Sequence, residues 1–228
     1  LPIWCAGDLA TTFLTREQVA WIYETGEMFF EKFYTPFYDA ETGLYRGQAS
    51  FIDVRGAPGE ENSGYPKEYG LADCVMLTAL STNCLYYQAL LVMTDIAEGL
   101  DLSEEVKASW LEKACRLKHS IRRHFLQDDG GLAYFIDRNG VPTDRNEALG
   151  TAFAVLFGIL SSSEGKKAFA KLPREDYGVA LFWPFFKGRK VYHNLSTWPF
   201  VDAFFLMARE RAKGQSEAVA TLYSSGDT

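Results

Sequence analysis

The sequence predicts an all-α fold in which helical hairpins are arranged as a toroid. Two observations lead to this prediction. Segments that are apolar on most faces alternate with segments that have a single apolar stripe, both at helical spacing. Short connections join the two members of a pair, whereas longer polar loops separate the pairs. In a toroid of hairpins the inner helices are covered on both sides and the outer helices on one, so the alternation fits this architecture.

The first predicted helix runs from Thr15 to Tyr34. Thr15 and Gln18 have the spacing of a capping box, in which each side chain bonds the other residue's backbone. Pro36 ends the helix because a proline ring cannot continue it. The apolar positions of this helix recur every three or four residues and form one stripe: Val19, Ile22, Gly26, Phe29, Phe30 and Phe33.

The second and third predicted helices form an antiparallel hairpin. Ala79–Glu98 is apolar nearly all round and is therefore expected to be buried on both sides. Ser103–Phe125 is amphipathic, with acidic residues in its first turn and basic residues in its last, as the helix dipole favours. The connection Gly99–Asp101 is short enough to bring the two helices side by side.

The remaining elements repeat this arrangement. Leu132–Val141 reads as a short β excursion with an Asn139-Gly140 turn. Asn146–Leu160 is apolar on most faces, Ser163–Leu172 is amphipathic, and Pro199–Arg211 is a last helix with proline in its first turn. We expect residues 1–215 to form a single domain or a portion of one, and residues 216–228 to form a flexible tail.

Composition excludes several classes of function. A net charge of −7 and an isoelectric point near 5.1 argue against nucleic acid and anionic membranes as partners. No apolar run reaches the roughly 18–20 residues of a transmembrane helix.

The four cysteines form no CxxC pair and are expected to be free and mostly buried. The three histidines lack metal-ligand spacing and no phosphate or dinucleotide motif occurs, so neither a metal nor a cofactor is expected. The compartment stays open.

Four stretches together resemble a known enzyme family. They are GLYRGQASFIDVRG (Gly43–Gly56), ALSTNCLYYQAL (Ala79–Leu90), DRNEALGTAFAVLFGIL (Asp144–Leu160), and FWPFF with VYHNLSTWPFVDAFFLMA (Phe182–Phe186 and Val191–Ala208). Their order and spacing resemble the six-hairpin glycosidases, which are (α/α)6-toroid glycoside hydrolases that include trehalases and processing α-glucosidases. The resemblance implies hydrolysis of an oligosaccharide with inversion, with Asp53 as the general acid.

The sequence departs from this family in two respects. A complete six-hairpin barrel needs about twelve helices, and this chain supplies about six. The family's catalytic base lies on a later hairpin, so no base is assigned within this chain. We therefore expect about half a barrel, which a homodimer or a missing barrel half would complete. An incomplete toroid would expose apolar edges of its inner helices.

Asp53 is the candidate catalytic residue because glycoside hydrolysis needs a carboxylic acid that protonates the leaving oxygen. An apolar neighbourhood such as Phe51-Ile52 would raise its pKa toward the required range. The alternative is a loop aspartate that caps a turn. Arg46 and Arg55 flank Asp53 and would bind sugar hydroxyls or brace the loop through ion pairs.

Further candidate substrate-binding residues lie in the second half of the chain. The indole rings of Trp183 and Trp198 would serve as stacking platforms for a pyranose, or belong to the core. His193 and Asn194 would hydrogen-bond a substrate or make structural contacts. Another pair, Arg145 and Glu147, would contact substrate or brace a loop.

Two other functions remain open. Sugar epimerases and polysaccharide lyases share the toroid, and their proton transfers would place His193 and Tyr192 at the centre of the site. A non-catalytic carbohydrate-binding module, left after loss of the hairpins that carry the base, would bind sugar without turnover. The identity of the residue that faces the cavity with a perturbed pKa would discriminate between a glycosidase and an epimerase or lyase.

Overall fold

The computed structural model describes residues 2–10, 13–46, 68–185 and 196–213, which form a mostly helical, partial toroid, as predicted. The helices in this part of the chain are α1 Pro2–Ala10, α2 Arg16–Met28, α3 Leu71–Val75, α4 Leu80–Gly99, α5 Glu104–Phe125, α6 Ala148–Leu156, α7 Ser162–Phe169 and α8 Pro199–Lys213. The short strands are β1 Tyr38–Asp39, β2 Leu44–Tyr45, β3 Thr78–Ala79, β4 Phe135–Ile136, β5 Asn146–Glu147, β6 Arg174–Glu175, β7 Gly178–Val179 and β8 Phe182–Trp183.

The helices pack in two layers. The inner layer is the row α4, α6 and α8, in which each helix packs against the next. The outer helix α5 packs along α4, and the outer helix α7 packs against both α6 and α8. Every residue of α6 from Ala148 to Val155 is buried, because this helix is covered by neighbours on opposite faces. The predicted alternation of buried and amphipathic helices is therefore confirmed for α4 to α7, whereas the inner helix α8 is buried along one face only.

The helix starts follow the capping signals in the sequence. Thr15 and Gln18 form the predicted capping box at the start of α2. The Ser103 hydroxyl accepts a hydrogen bond from the Val106 backbone N–H at the start of α5, which ends at Phe125 as predicted. Ser161 and Glu164 form a second capping box that begins α7. These helix starts could be predicted because a cap uses residues only three positions apart.

The end of the first predicted helix differs from the prediction. The regular helix α2 ends at Met28, and residues Phe29–Tyr34 continue as a π-helical segment, followed by a 3-10 turn at Thr35–Phe37. The wider π turn rotates the side chains that follow it. Phe30 is consequently buried, whereas Phe33 is 53% exposed. Phe33 was assigned to the buried stripe, and that assignment is wrong.

Helix α1, which was not predicted, packs against α4 and reaches α6 and α8 through Trp4. Its Trp4 ring lies 5.0 Å from the Phe157 ring and 6.0 Å from the Phe204 ring, between centroids, so it contacts both α6 and α8. Trp4 also contacts Phe153, whereas Gly165 of α7 packs close to Val155. Two residues along a helix correspond to a rotation of about 200°. Helices α1 and α7 therefore cover opposite faces of α6.

The β excursion between α5 and α6 pairs differently from a simple hairpin. The Asn139-Gly140 turn is present, and Gly140 has a φ of 79°. Strand β4 pairs with β3, which precedes α4, and an isolated bridge joins Ile136 to Pro142. Strand β5 pairs with β8. These strands link the segments that lead into successive inner helices.

The cysteine prediction is confirmed in part. All four cysteines are free, but only Cys84 is buried, while Cys5 and Cys115 are exposed. Cys115 lies outside the buried stripe of α5, so its exposure agrees with the amphipathic pattern of that helix. Within the described ranges there is no cluster of His, Cys, Asp and Glu that could hold a metal ion. No helix in those ranges is long and apolar enough to cross a membrane.

Candidate functional site

The starts of the inner helices α4 and α6 are joined by backbone hydrogen bonds. The Leu80 N–H donates to the Tyr134 carbonyl at 3.0 Å, and the Tyr134 N–H donates to the Arg145 carbonyl at 2.7 Å. The Ala148 N–H donates to the Leu181 carbonyl at 3.0 Å. Helix N-termini carry backbone N–H groups that need acceptors, and neighbouring loops supply them here. One end of the toroid is thereby built from the segments that precede the inner helices.

The start of α8 belongs to the same end. The Val179 N–H donates to Asp202 Oδ1 at 2.8 Å, and Asp202 lies in the first turn of α8. Gly178 lies so close to this carboxylate that a side chain there would overlap it. Burial raises the pKa of Asp202, although the Val179 N–H opposes the shift. Leu181, two residues after Val179, accepts the hydrogen bond from the Ala148 N–H at the start of α6, so the three inner helices begin together.

Asn83 fastens the β1–β2 hairpin to this end. Its Oδ1 accepts a hydrogen bond from the Tyr45 N–H, and its Nδ2 donates to the Tyr45 carbonyl, both at 2.8 Å. The same Nδ2 donates to the Ala79 carbonyl at 2.9 Å. Asn83 is fully buried in the first turn of α4. Arg46 follows directly and lies at the edge of the site, with its guanidinium 3.8 Å from the Asp39 carboxylate.

Most of the predicted catalytic and sugar-contacting residues lie outside the described residues. These are Asp53, Phe51 and Arg55 in residues 47–67, and Tyr192, His193 and Asn194 in residues 186–195. The described residues that flank both segments lie at the end where the inner helices begin. Arg46 follows the residue held by Asn83, and the Tyr69 ring lies 6.0 Å from the Phe135 ring of β4. Phe185 contacts Trp183, and Trp198 directly precedes α8.

Arg145 and Glu147 are placed together by β5 and its approach, but not in the same environment. Glu147 is completely buried at the start of α6, where Gly150 and Leu80 pack around it. Its negative charge adds to the effect of burial, which raises the pKa of the nearby Cys84 thiol. Arg145 is partly exposed and pairs with the exposed carboxylate of Asp144. The burial of Glu147 favours loop bracing over substrate contact, while Arg145 keeps access to a ligand.

The two tryptophans lie beside the starts of different inner helices. Trp183 in β8 pairs with Asn146 in β5, and its side chain is on the accessible side, with the residue 38% exposed. Trp198 is half-buried and lies 5.7 Å from the Phe200 ring. An exposed indole face is available to stack on the C–H face of a sugar ring. Trp183 fits the predicted role as a platform better than Trp198.

Two residues of this end were not identified as functional candidates. Asn83 lies in the first turn of the helix that the sequence predicts to be apolar nearly all round. Tyr134 lies fully buried, with its ring 4.6 Å from the Phe182 ring, between the approaches to α4 and α6. A buried amide in an apolar helix was the available signal for Asn83, because such a group requires partners. Tyr134 gave no comparable signal, because its apolar neighbours are remote in sequence.

The described structure is similar to parts of several solved glycoside hydrolases. A GH78 family rhamnosidase from Bacillus sp. GL1 matches over 97% of this chain and 20% of its own, with a TM-score of 0.65. Neutral trehalase Nth1 from Saccharomyces cerevisiae matches over 86% of this chain and 48% of its own, with a TM-score of 0.63. A sialidase matches over 93% of this chain and 20% of its own, with a TM-score of 0.66.

All three matches have 15% sequence identity, so they show a shared fold. The chain spans less than half the length of each of these proteins. No family model matches the sequence. No curated protein matches it significantly. The predicted glycosidase-like helical fold is thus supported by its structural neighbours.

Proposed function

We propose that this chain is a glycoside hydrolase of the six-hairpin type, or the part of one that carries the catalytic acid. The observation that carries the proposal is the common end of the inner helices α4, α6 and α8. The segments that contain Asp53 and His193 are both flanked by described residues at this end. Trp183 offers an accessible ring there, and Arg145 offers a partly exposed guanidinium that pairs with Asp144.

The proposed reaction protonates the glycosidic oxygen from Asp53 while water attacks the anomeric carbon from the opposite face. An inverting enzyme needs a second carboxylate about 6.5–9.5 Å from the acid to activate that water. Glu147 is buried and Asp202 is held by the Val179 N–H, so both are better suited to support the loops. We assign neither as the base.

The proposed substrate is an oligosaccharide whose terminal ring stacks on an aromatic side chain. The neighbouring proteins are a rhamnosidase, a trehalase and a sialidase, so the identity of the sugar is left to experiment. Because the chain corresponds to a part of each neighbour, activity would require the remaining hairpins from elsewhere. A homodimer or a separate barrel half is the proposed source.

The decisive experiment is a comparison of wild type, Asp53→Asn and Asp101→Asn on aryl glycosides and α-linked disaccharides. Asp101 is exposed at the opposite end of α4, and its positive φ of 57° suits asparagine, which makes it a matched control. We expect Asp53→Asn to lower turnover by at least about a hundredfold, as loss of general acid catalysis does. Asp101→Asn should retain wild-type turnover.

Product stereochemistry, read by proton NMR within the first minutes, tests the inverting assignment. An anomer opposite to the substrate supports it, whereas a retained anomer would exclude it. Measurable and equal turnover in wild type and Asp53→Asn would refute the role of Asp53. An isomerised sugar or an unsaturated product would instead indicate an epimerase or a lyase.

A further inference from the structure

A cavity lies on the outer side of the helix layers, beside the β1–β2 hairpin. It has a volume of about 330 Å³ and lies between the π-helical segment, the β1–β2 hairpin and helices α4 and α5. We call it the outer pocket. Its apolar floor consists of the buried side chains Phe30, Leu90 and Leu117. The volume is at the lower end of the range of small-molecule sites.

Most of the outer pocket lies away from the starts of α6 and α8, although Tyr45 in its wall is held by Asn83 in the first turn of α4. Leu90 lies ten residues beyond the first residue of α4, which corresponds to about 15 Å along the helix axis. The pocket also lies on the side of α4 that packs against the outer helix α5, since Leu117 belongs to α5. A ligand in this pocket would therefore not lie beside the starts of α6 and α8.

Two tyrosine rings form a corner in the wall of the outer pocket. The Tyr38 and Tyr45 rings lie 5.2 Å apart between centroids, with 57° between their planes. Tyr86 stacks on Tyr45 at 3.9 Å and 13°, which covers one face of that ring and fixes its orientation. Tyr38 is 41% exposed and has an accessible surface. Burial raises the pKa of Tyr45 to about 12, so its phenol keeps its proton at neutral pH.

The charged groups at the rim favour a neutral polar ligand over an ion. Lys113 and Arg116 line the pocket together with Glu31. Arg116 pairs with Glu112 at 3.3 Å, which compensates its charge. Lys113 lies 4.2 Å from the centre of the Trp110 ring and faces Glu31 across the same cavity, so the rim carries charges of both signs. Such groups can donate and accept hydrogen bonds without selecting a net charge.

We propose that the outer pocket is a non-catalytic binding site for a neutral pyranose sugar. The C–H face of the ring would stack on Tyr38 in the corner with Tyr45, and Glu31, Lys113 and Arg116 would bond its hydroxyls. Hydrolysis there is not expected, because Glu31 is the one carboxylate among the described residues that line the pocket and glycoside hydrolysis uses two. Binding at this site does not depend on Asp53 or on the proposed hydrolase activity.

The test is an NMR titration of the chain, labelled with ring-¹³C tyrosine, with methyl α-D-glucopyranoside and methyl α-L-rhamnopyranoside. The signal missing in Tyr38→Phe identifies the Tyr38 ring. We expect this signal to shift on titration with at least one sugar. Tyr38→Phe should retain the affinity within about threefold, since stacking needs the ring, whereas Tyr38→Ala should weaken it by about tenfold.

Three controls make the result specific. Tyr177→Ala changes a tyrosine that is 91% exposed and outside the pocket, and it should leave the affinity unchanged. Asp53→Asn should leave the Tyr38 shift unchanged, which separates this site from the proposed catalytic one. Thermal unfolding of Tyr38→Ala verifies that the variant is folded. An unmoved Tyr38 signal at millimolar sugar would overturn the proposal. Binding of phenylacetate that is stronger than binding of either sugar would also overturn it, because it would indicate an anion site.

Discussion

Replacing Asn83 by alanine tests how the β1–β2 hairpin is held against α4. Asn83 is a fully buried residue whose amide makes hydrogen bonds to both backbone groups of Tyr45 and to the Ala79 carbonyl. Alanine removes all three bonds and leaves the Tyr45 N–H and carbonyl without these partners. The expected consequence is a less stable protein whose hairpin no longer holds Arg46 at the edge of the candidate site.

The magnitude follows from the number of bonds lost. A hydrogen bond contributes a net of about 1 kcal/mol, and three give about 3 kcal/mol. The penalty for a buried group left without a partner acts in the same direction, but Tyr45 is only half-buried and water can replace part of the loss. We therefore expect the free energy of unfolding to fall by about 3 kcal/mol, a large share of a typical 5–15 kcal/mol.

Urea unfolding followed by tryptophan fluorescence measures this loss. Asn139→Ala is the matched control, because Asn139 is an exposed asparagine in the turn after β4. It should change the free energy of unfolding by at most about 0.5 kcal/mol. Asn83→Asp is an intermediate case that keeps an acceptor for the Tyr45 N–H but loses both donated bonds.

The reasoning would be refuted if Asn83→Ala lowered the stability by less than about 1 kcal/mol, or by no more than Asn139→Ala. A variant of unchanged stability would mean that the hairpin is held by other contacts. If the chain hydrolyses a glycoside, the same variant should also lose turnover, because Arg46 and the segment bearing Asp53 follow the hairpin.

Two further predictions concern packing and pH. Trp4→Ala should lower the free energy of unfolding by about 3 kcal/mol, because the ring packs against Phe153, Phe157 and Phe204, whereas Trp21→Ala at a 66% exposed position should change it by at most about 0.5 kcal/mol. Urea titrations of both variants check this, and equal losses would contradict the position of α1. Hydrogen bonds from Arg122 and then from Ser161 lower the pKa of Glu164 from 4.5 to about 2, so the stabilisation is complete above pH 4.5 and disappears as the pH falls through about 2. The full shift corresponds to about 3 kcal/mol, which solvent screening of side chains about one third exposed reduces to about 1 kcal/mol. The stability difference between wild type and Glu164→Gln should therefore shrink between pH 6 and pH 2, and a difference independent of pH would exclude the ion pair as its source.

Much of the helical framework could be predicted from the sequence because its signals are local. The capping box at Thr15, the cap at Ser103 and the apolar faces of α4 and α6 all arise from residues within a few positions of one another. The same periodicity did not reveal where α2 changes into a π-helical segment. In the fold Phe30 of this segment packs against Trp110, a residue eighty positions away, and the local pattern does not contain that contact.

The residues of the candidate site could be predicted in part from the sequence, but their arrangement in space could not. The sequence indicated Arg145, Glu147 and Trp183 as chemically suitable, yet only the pairing of β5 with β8 brings their strands together. That pairing also separates their environments, since Glu147 is buried while Trp183 is accessible. Burial is decided by the neighbours that a residue meets across the fold, which a pattern within one segment does not contain.

The sequence by itself determined that this protein is built from helical hairpins with alternating buried and amphipathic members. Hydrophobic periodicity and caps act within one segment, so they do not need the rest of the fold. Only the tertiary structure decided that Trp4 of α1 contacts α6 and α8, that Asn83 holds the hairpin before Arg46, and that two tyrosines form a corner of the outer pocket. These features arise from contacts between residues far apart in the chain, whose free energy is gained only after the helices have packed.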